Sequence, residues 1–405
     1  MNRRVSVCFA ILCLLSMMFL MGLALTVRPV KADYTWTETI YIRADGSVDP
    51  DTAPISTVDS ITYTLTDNIV GDVPDVSDAI VVERDNIVVD GAGYRVQGTD
   101  RGPTGIYLEE RTNVILKNVE VTNFVLGIRL VRSSNIALVN NTVSSINSRG
   151  IFLSFCSNIA LVGNTASRNH IGITISSSSN HIITGNTVID NNIGIHLYES
   201  NSSLLFHNNF TNNTDQVLQV GSQDSIWQDG YPSGGNYWSD YDGSDVYRGV
   251  YQDVTGSDGI GDTPYEIDEN NTDHSPLMGM FSDFDATVEH QVQTICNSSI
   301  SDFQYNGTAI SFNVTGEDGT NGFCRMCIPT ALMSDYQVFL NGTEISYDLL
   351  PPPISNSTHD YIYFTYHHST QEVIIIPEFP SIVILPLFMT VVLLAAAAHR
   401  RKRFT

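Results

Sequence analysis

The chain has 405 residues, 42% of them hydrophobic, which suits two or three packed domains and excludes wholesale disorder. Only 16% are charged, and 20 Lys and Arg face 44 Asp and Glu, for a net charge of −24. Eight of the bases stand at the two ends, leaving 12 bases against 43 acids between residues 33 and 376, a surface that repels phosphate backbones and excludes nucleic-acid binding.

Arg3-Arg4, an apolar run from Val5 to Val27 and Val30-Lys31-Ala32 follow the order of a secretory signal, residues 1–32, cut after Ala32. The length of the run leaves an uncleaved N-terminal anchor as the alternative. Residues 33–78 read as a strand-rich entrance or cap. Ile80 to Val82, Ile87 to Val89 and Tyr94 to Val96 then alternate with turn signals such as Asp90-Gly91-Ala92-Gly93.

A repeat follows. Gly105, Gly127, Gly150, Gly172 and Gly194 recur at intervals of 22 or 23 residues, each opening a Gly-Ile-x-Leu/Ile unit. One residue on stand Ile106, Ile128, Ile151, Ile173 and Ile195; three on stand Leu108, Leu130, Leu153, Ile175 and Leu197. Further apolar columns lie eleven and sixteen residues on. Period-two patterning and β-branched content favour strands over helix pairs. Three short strands per turn, wound into a parallel β-helix over residues 79–223, fit best. About eight coils at ~4.8 Å each predict a rod roughly 40 Å long. Asparagines recur eight residues after each glycine (Asn113, Asn135, Asn158, Asn180) and fourteen after (Asn141, Asn164, Asn186, Asn208), as turn residues that stack.

Residues 224–285 change character. Between 224 and 273 there are 12 acids, one base (Arg248) and many aromatics, which predicts a loop-rich cap. Residues 286–376 read as a small β-sandwich, with turns at Asn306-Gly307 and Asn341-Gly342. After the linker 377–381, residues 382–398 carry no charge and predict a transmembrane helix, and the basic tail 399–405 stays cytoplasmic. Together these predict an all-β surface protein, exported and single-pass, held in the membrane by its C-terminal helix.

Ten N-x-[ST] sequons agree with export: Asn140, Asn201, Asn209, Asn212, Asn270, Asn297, Asn306, Asn313, Asn341 and Asn356. Four cysteines remain after the signal. Cys324-Arg325-Met326-Cys327 has no second pair for zinc, so a disulfide from Cys296 to Cys324 or Cys327 is expected.

The Gly-Ile-x-Leu … Asn … Gly-Asn-Thr repeat resembles the NosD-like family of right-handed β-helix proteins, over roughly residues 60 to 280. Gly234-Gly235-Asn236-Tyr237-Trp238-Ser239-Asp240-Tyr241 and Gly256-Ser257-Asp258-Gly259-Ile260-Gly261-Asp262 are similar to strings that close archaeal surface β-helices. Pro377-Glu378-Phe379-Pro380-Ser381 resembles archaeal sorting tails of the PEF type, which implies that a sorting enzyme removes the helix; a permanent helix is the alternative. The family name implies periplasmic copper delivery.

Copper wants clustered His, Met or Cys. His170, His181, His196, His207 and Cys156 fall at unrelated offsets in the repeat, so copper is not expected. Asp240, Asp242, Asp245, Asp253, Asp258 and Asp262 stand beside glycines, a set suited to structural Ca²⁺ although no EF-hand loop is intact. A polysaccharide lyase or hydrolase needs clustered carboxylates on one strand face. The outward positions carry a single acid, Glu109, while Glu199 follows close on His196 as a further pair. The same face offers Tyr107, Arg129, Phe152, His196 and Tyr198, which suit a sugar. The expected role is therefore structural or glycan-binding at the cell envelope, without catalysis, and the alternatives are a polysaccharide lyase or glycoside hydrolase and a copper-handling protein.

Overall fold

The computed structural model describes residues 34–71, 77–222, 224–350, 355–356 and 358–378. The signal, the 382–398 helix, the basic tail and most of the sorting motif lie outside them. Among the described residues no helix is long and apolar enough to cross a membrane.

Three parallel sheets form a solenoid. The chain visits them in the same order on every turn, as in Thr104–Glu109, Val114–Lys117 and Glu120–Thr122, followed by Leu126–Val131, Ala137–Val139 and Thr142–Ser144. Among the described residues the solenoid's own strands make seven complete turns. The first is Ile40–Ile42, Thr62–Leu65 and Ile69–Gly71, so the entrance segment is part of the rod. Asp215–Val220 begins an eighth turn that the cap completes with Tyr237–Trp238. Register follows the repeat: Ile106, Ile128, Ile151, Ile173 and Ile195 pair in one ladder, all at most 1% exposed. Each such side chain contributes roughly 1.5–3 kcal/mol by leaving water. The core they build runs from Trp36 to Trp238.

The repeating glycine has a steric cause. A Cβ on Gly172 would sit 2.7 Å from the Gly194 carbonyl oxygen and 2.9 Å from Val188 Cγ1. Gly and the following Ile are both buried on every full-length strand of this sheet, so strict alternation breaks there.

The two asparagine columns do different things. Asn113, Asn135, Asn158 and Asn180 have φ of 54–60°, the left-handed region that Asn tolerates at a turn. The second column is a buried ladder. Asn141 Nδ2 donates to Asn164 Oδ1 (3.0 Å), Asn164 to Asn186 (3.0 Å), Asn186 to Asn208 (2.9 Å) and Asn208 to Asn236 (2.9 Å). Each Oδ1 also accepts the preceding asparagine's backbone N–H. The chain of donors ends on the Asp273 carboxylate, which accepts from the Asn236 backbone (2.7 Å) and the Trp238 indole (3.0 Å). A group that only accepts is what the end of such a chain requires.

The acidic aromatic segment does close the rod. Trp238 stacks between Phe210 (4.5 Å) and Tyr265 (4.4 Å). Beyond it, two five-stranded antiparallel sheets enclose a second core that includes Val292, Phe312, Met326 and Phe364. This sandwich starts at Met280–Asp285, inside the segment expected to be cap. Arg325 is 1% exposed and ties sandwich to cap, donating to the carbonyls of Asp258 (2.9 Å) and Pro232.

Candidate functional site

The outer face of the sheet that carries the glycines gathers the predicted sugar-facing residues. Tyr107, Arg129, Phe152, Thr174, His196 and Leu218 pair in register across six adjacent strands. Two residues along, Glu109, Val131, Ser154, Ser176 and Tyr198 form a parallel row. Side chains alternate outward at these positions, so all five predicted residues share one surface.

Arg149 joins them. Strict alternation assigns the residue before each glycine to the interior. Because Gly150 and Ile151 both face inward, Arg149 turns out, and its guanidinium lies 4.9 Å from the Phe152 ring centre. Arg129 covers Tyr107 likewise at 4.8 Å. His196 meets Tyr198 edge to face at 6.3 Å. Sequence reasoning missed Arg149 and Thr174. Arg149 was hidden by the break in alternation at Gly150, and Thr174, although its offset places it on this face, has nothing in the sequence to set it apart from other strand threonines.

Several polar atoms on this face are buried without a hydrogen-bond partner: Arg129 Nε, Arg149 Nε, Thr174 Oγ1 and both ring nitrogens of His196. Thr174 is only 2% exposed. Burial, with the positive charge of Arg149, holds His196 below its ordinary value, so the ring is neutral at pH 7. The Tyr107 hydroxyl donates to Glu109 (2.6 Å), and burial with that carboxylate pushes the phenol up to about 12. Glu109 is also paired with Arg132.

Glu109 and Asp78 both lie close enough to act on the Tyr107 phenol, and Asp78 also acts on Arg129. Glu199 does not engage His196, whose nitrogens are unpartnered; it follows the strand at a positive-φ turn.

The six aspartates do not converge, and no three His, Cys, Asp or Glu come together as a metal cage among the described residues. Their oxygens serve the loop instead. Asp245 accepts the N–H groups of Asp258 (3.0 Å) and Gly259 (2.8 Å). Asp262 accepts those of Val246 and Tyr247. Asp258 accepts the Tyr231 hydroxyl (2.6 Å), and Asp240 that of Tyr265. Asp242 and Asp253 are exposed outside these pairs. Burial raises the Asp245 carboxyl to about 7, with the Asp258 and Asp262 charges adding to it.

The copper donors are likewise scattered. His181 takes an interior position and accepts the Ile159 N–H at Nδ1, His207 stacks on Phe281 at 4.0 Å, and His170 contacts Asn192. Cys156 replaces serine in a buried Ser133, Ser178, Ser200 column.

The remaining cysteines are buried free thiols, and the expected disulfide is not formed. Cys296 and Cys324 stand directly opposite on antiparallel strands. Cys327 pairs with Gln293 and, three residues on, faces the other side near Tyr361. One sequon also needs correction. Asn209 is 2% exposed, and its amide bonds the Phe281 backbone through both Nδ2 (2.9 Å) and Oδ1 (2.8 Å). A glycan has no room there. Asn313 is half-buried, and the other eight are exposed.

Residues 39–243 match the family described as periplasmic copper-binding protein (NosD), and the chain belongs to that family. No curated protein matches it. Among solved structures, a double mutant of the periplasmic alginate epimerase AlgG is 15% identical over 50% of this chain and 70% of that one, with a TM-score of 0.29. The enzymatically active domain of bacteriophage CBA120 tailspike protein 2 is 12% identical over 85% and 79%, with a TM-score of 0.32. At these figures neither likeness bears on activity.

Proposed function

We propose that this member of the NosD family is an exported, envelope-attached rod that binds a glycan on its ladder face without cleaving it. The basic start, apolar run and Val30-Lys31-Ala32 supply export. The uncharged 382–398 segment and its basic tail supply attachment, with the sandwich towards the membrane and the rod outward.

One observation carries the reading. The Tyr107, Phe152 and Tyr198 rings stand in register among Arg129, Arg149, Thr174 and His196 on one outward face. Sugar hydroxyls donate and accept, and sugar C–H faces lie against aromatic rings. Cleavage by hydrolysis needs two carboxyls at a working separation. Here the outer rows offer Glu109, already bonded to Tyr107 and Arg132.

The test is retention of the purified protein on a panel of immobilised polysaccharides, with new chain ends scored in the same tubes. Phe152→Ala with Tyr198→Ala is expected to weaken the bound polymer about tenfold, the equivalent of roughly 1.4 kcal/mol. Retention of none, or an unaffected double variant, refutes the reading. New chain ends would replace it with a lyase or hydrolase.

A further inference from the structure

We propose that the glycan is acidic, and that Arg129 and Arg149 read its carboxylates. The inference rests on the binding face described above and adds the chemical class of what it holds.

The chain has more than twice as many acids as bases, and four of its described arginines form ion pairs. Arg43 pairs with Asp49 and Glu83, Arg111 with Asp85, and Arg132 with Glu109 and Glu110. Arg129 and Arg149 form no ion pair among the described residues, and each keeps a buried Nε without an acceptor. Instead each guanidinium is laid over a ring, Tyr107 or Phe152. Stacking of this kind fixes the plane of the fork and leaves its edge donors free.

A guanidinium edge matches the two oxygens of a carboxylate, and the charge-assisted bonds that result are about twice as strong as neutral ones. Neutral hydroxyls would leave the half-buried charge of Arg149 without a carboxylate, whereas Asp78 already acts on Arg129. The strands that carry the two arginines are adjacent, with Leu126 opposite Arg149 and Arg129 opposite Phe152. Their Cα atoms are therefore roughly 10 Å apart, from one strand spacing and three residues of rise. That span suits carboxylates on separate sugars of one polymer. Thr174 and the neutral His196, further along the same ladder, would take hydroxyls. The overall negative charge of the protein opposes a polyanion at long range. Salt near 0.15 M screens that field beyond about 8 Å while affecting the half-buried contacts less.

The experiment compares a polyuronate with the same polymer after chemical reduction of its carboxyls to alcohols, using the full chain at physiological salt. The reduced polymer is expected to bind about tenfold more weakly. Arg129→Gln with Arg149→Gln is expected to abolish that difference. Equal binding of the two polymers by the unaltered protein overturns the proposal and leaves the face as a site for neutral glycans. Failure to bind any polymer in the panel removes the binding face itself. The polymer comparison needs no variant, so a misfolded double substitution does not obscure it.

Discussion

Replacing Asn186 by alanine removes the middle rung of the buried ladder. Its Oδ1 accepts both the backbone N–H (2.9 Å) and the side-chain amide (3.0 Å) of Asn164. Its Nδ2 donates to the Leu161 carbonyl (2.8 Å) and to Asn208 Oδ1 (2.9 Å). The residue is 0% exposed, so water does not replace these bonds. The substitution orphans the Asn164 backbone N–H and one of its Nδ2 hydrogens, each at about 1–3 kcal/mol, for a total near 4 kcal/mol. That is a large part of the roughly 5–15 kcal/mol that holds a domain folded. Asn180 supplies the control. It belongs to the same turn of the repeat, is exposed, and has φ of 60°, so alanine there costs only about 1–2 kcal/mol of left-handed strain. Urea unfolding followed by tryptophan fluorescence reads both, since Trp227 and Trp238 are buried where the rod meets its cap. The expected result is that Asn186→Ala is destabilised by about 2 kcal/mol more than Asn180→Ala. Equal losses would show that the ladder is incidental and that both columns act only as turn residues.

Two further outcomes follow from buried groups. Burial raises the Asp273 carboxyl to about 6 from an ordinary 3.8, against the bonds from Asn236, Trp238 and Ser275. The folded state therefore holds the proton more tightly. The stabilisation is full below pH 3.8 and is lost as pH rises through 6, a swing of about 3 kcal/mol. Asp273→Asn should remove this component, so the stability difference between the two proteins shifts by about that amount between pH 4 and pH 7; a constant difference refutes it. Exchange with oxidised glutathione should join Cys296 to Cys324, each thiol giving up a proton as glutathione disulfide is reduced to two thiols. Cys324 and Tyr366 lower the Cys296 thiol while burial raises that of Cys324, which makes Cys296 the attacking sulfur. Peptide mapping under non-reducing conditions checks the pairing, and a Cys296–Cys327 link would contradict the register.

Much of the rod was legible because a solenoid repeats its neighbours. Residues 22 or 23 apart touch, so one period read from the glycines assigns sheets, register and inward columns together. That Tyr107, Arg129, Phe152, His196 and Tyr198 share one outward face followed from the same alternation. Arg149 escaped because alternation fails where the glycine packs under the next turn's carbonyl, a close approach that no propensity records.

What the period leaves open lies in contacts that are not periodic. Asp273 reaches the ladder from 37 residues away, Asn209 bonds Phe281 across 72, and Arg325 holds Pro232 across 93. Those pairings decide that the ladder ends on a carboxylate, that one sequon is buried, and that the sandwich is fastened to the cap. They also decide that Cys324 rather than Cys327 faces Cys296, since three residues along a strand reverse the side. The amino-acid order specifies a repeating unit through local alternation and stacking. Where the repeat stops, the closure of the rod depends on polar groups that must find partners anywhere in the folded chain, because burying them unpaired costs too much.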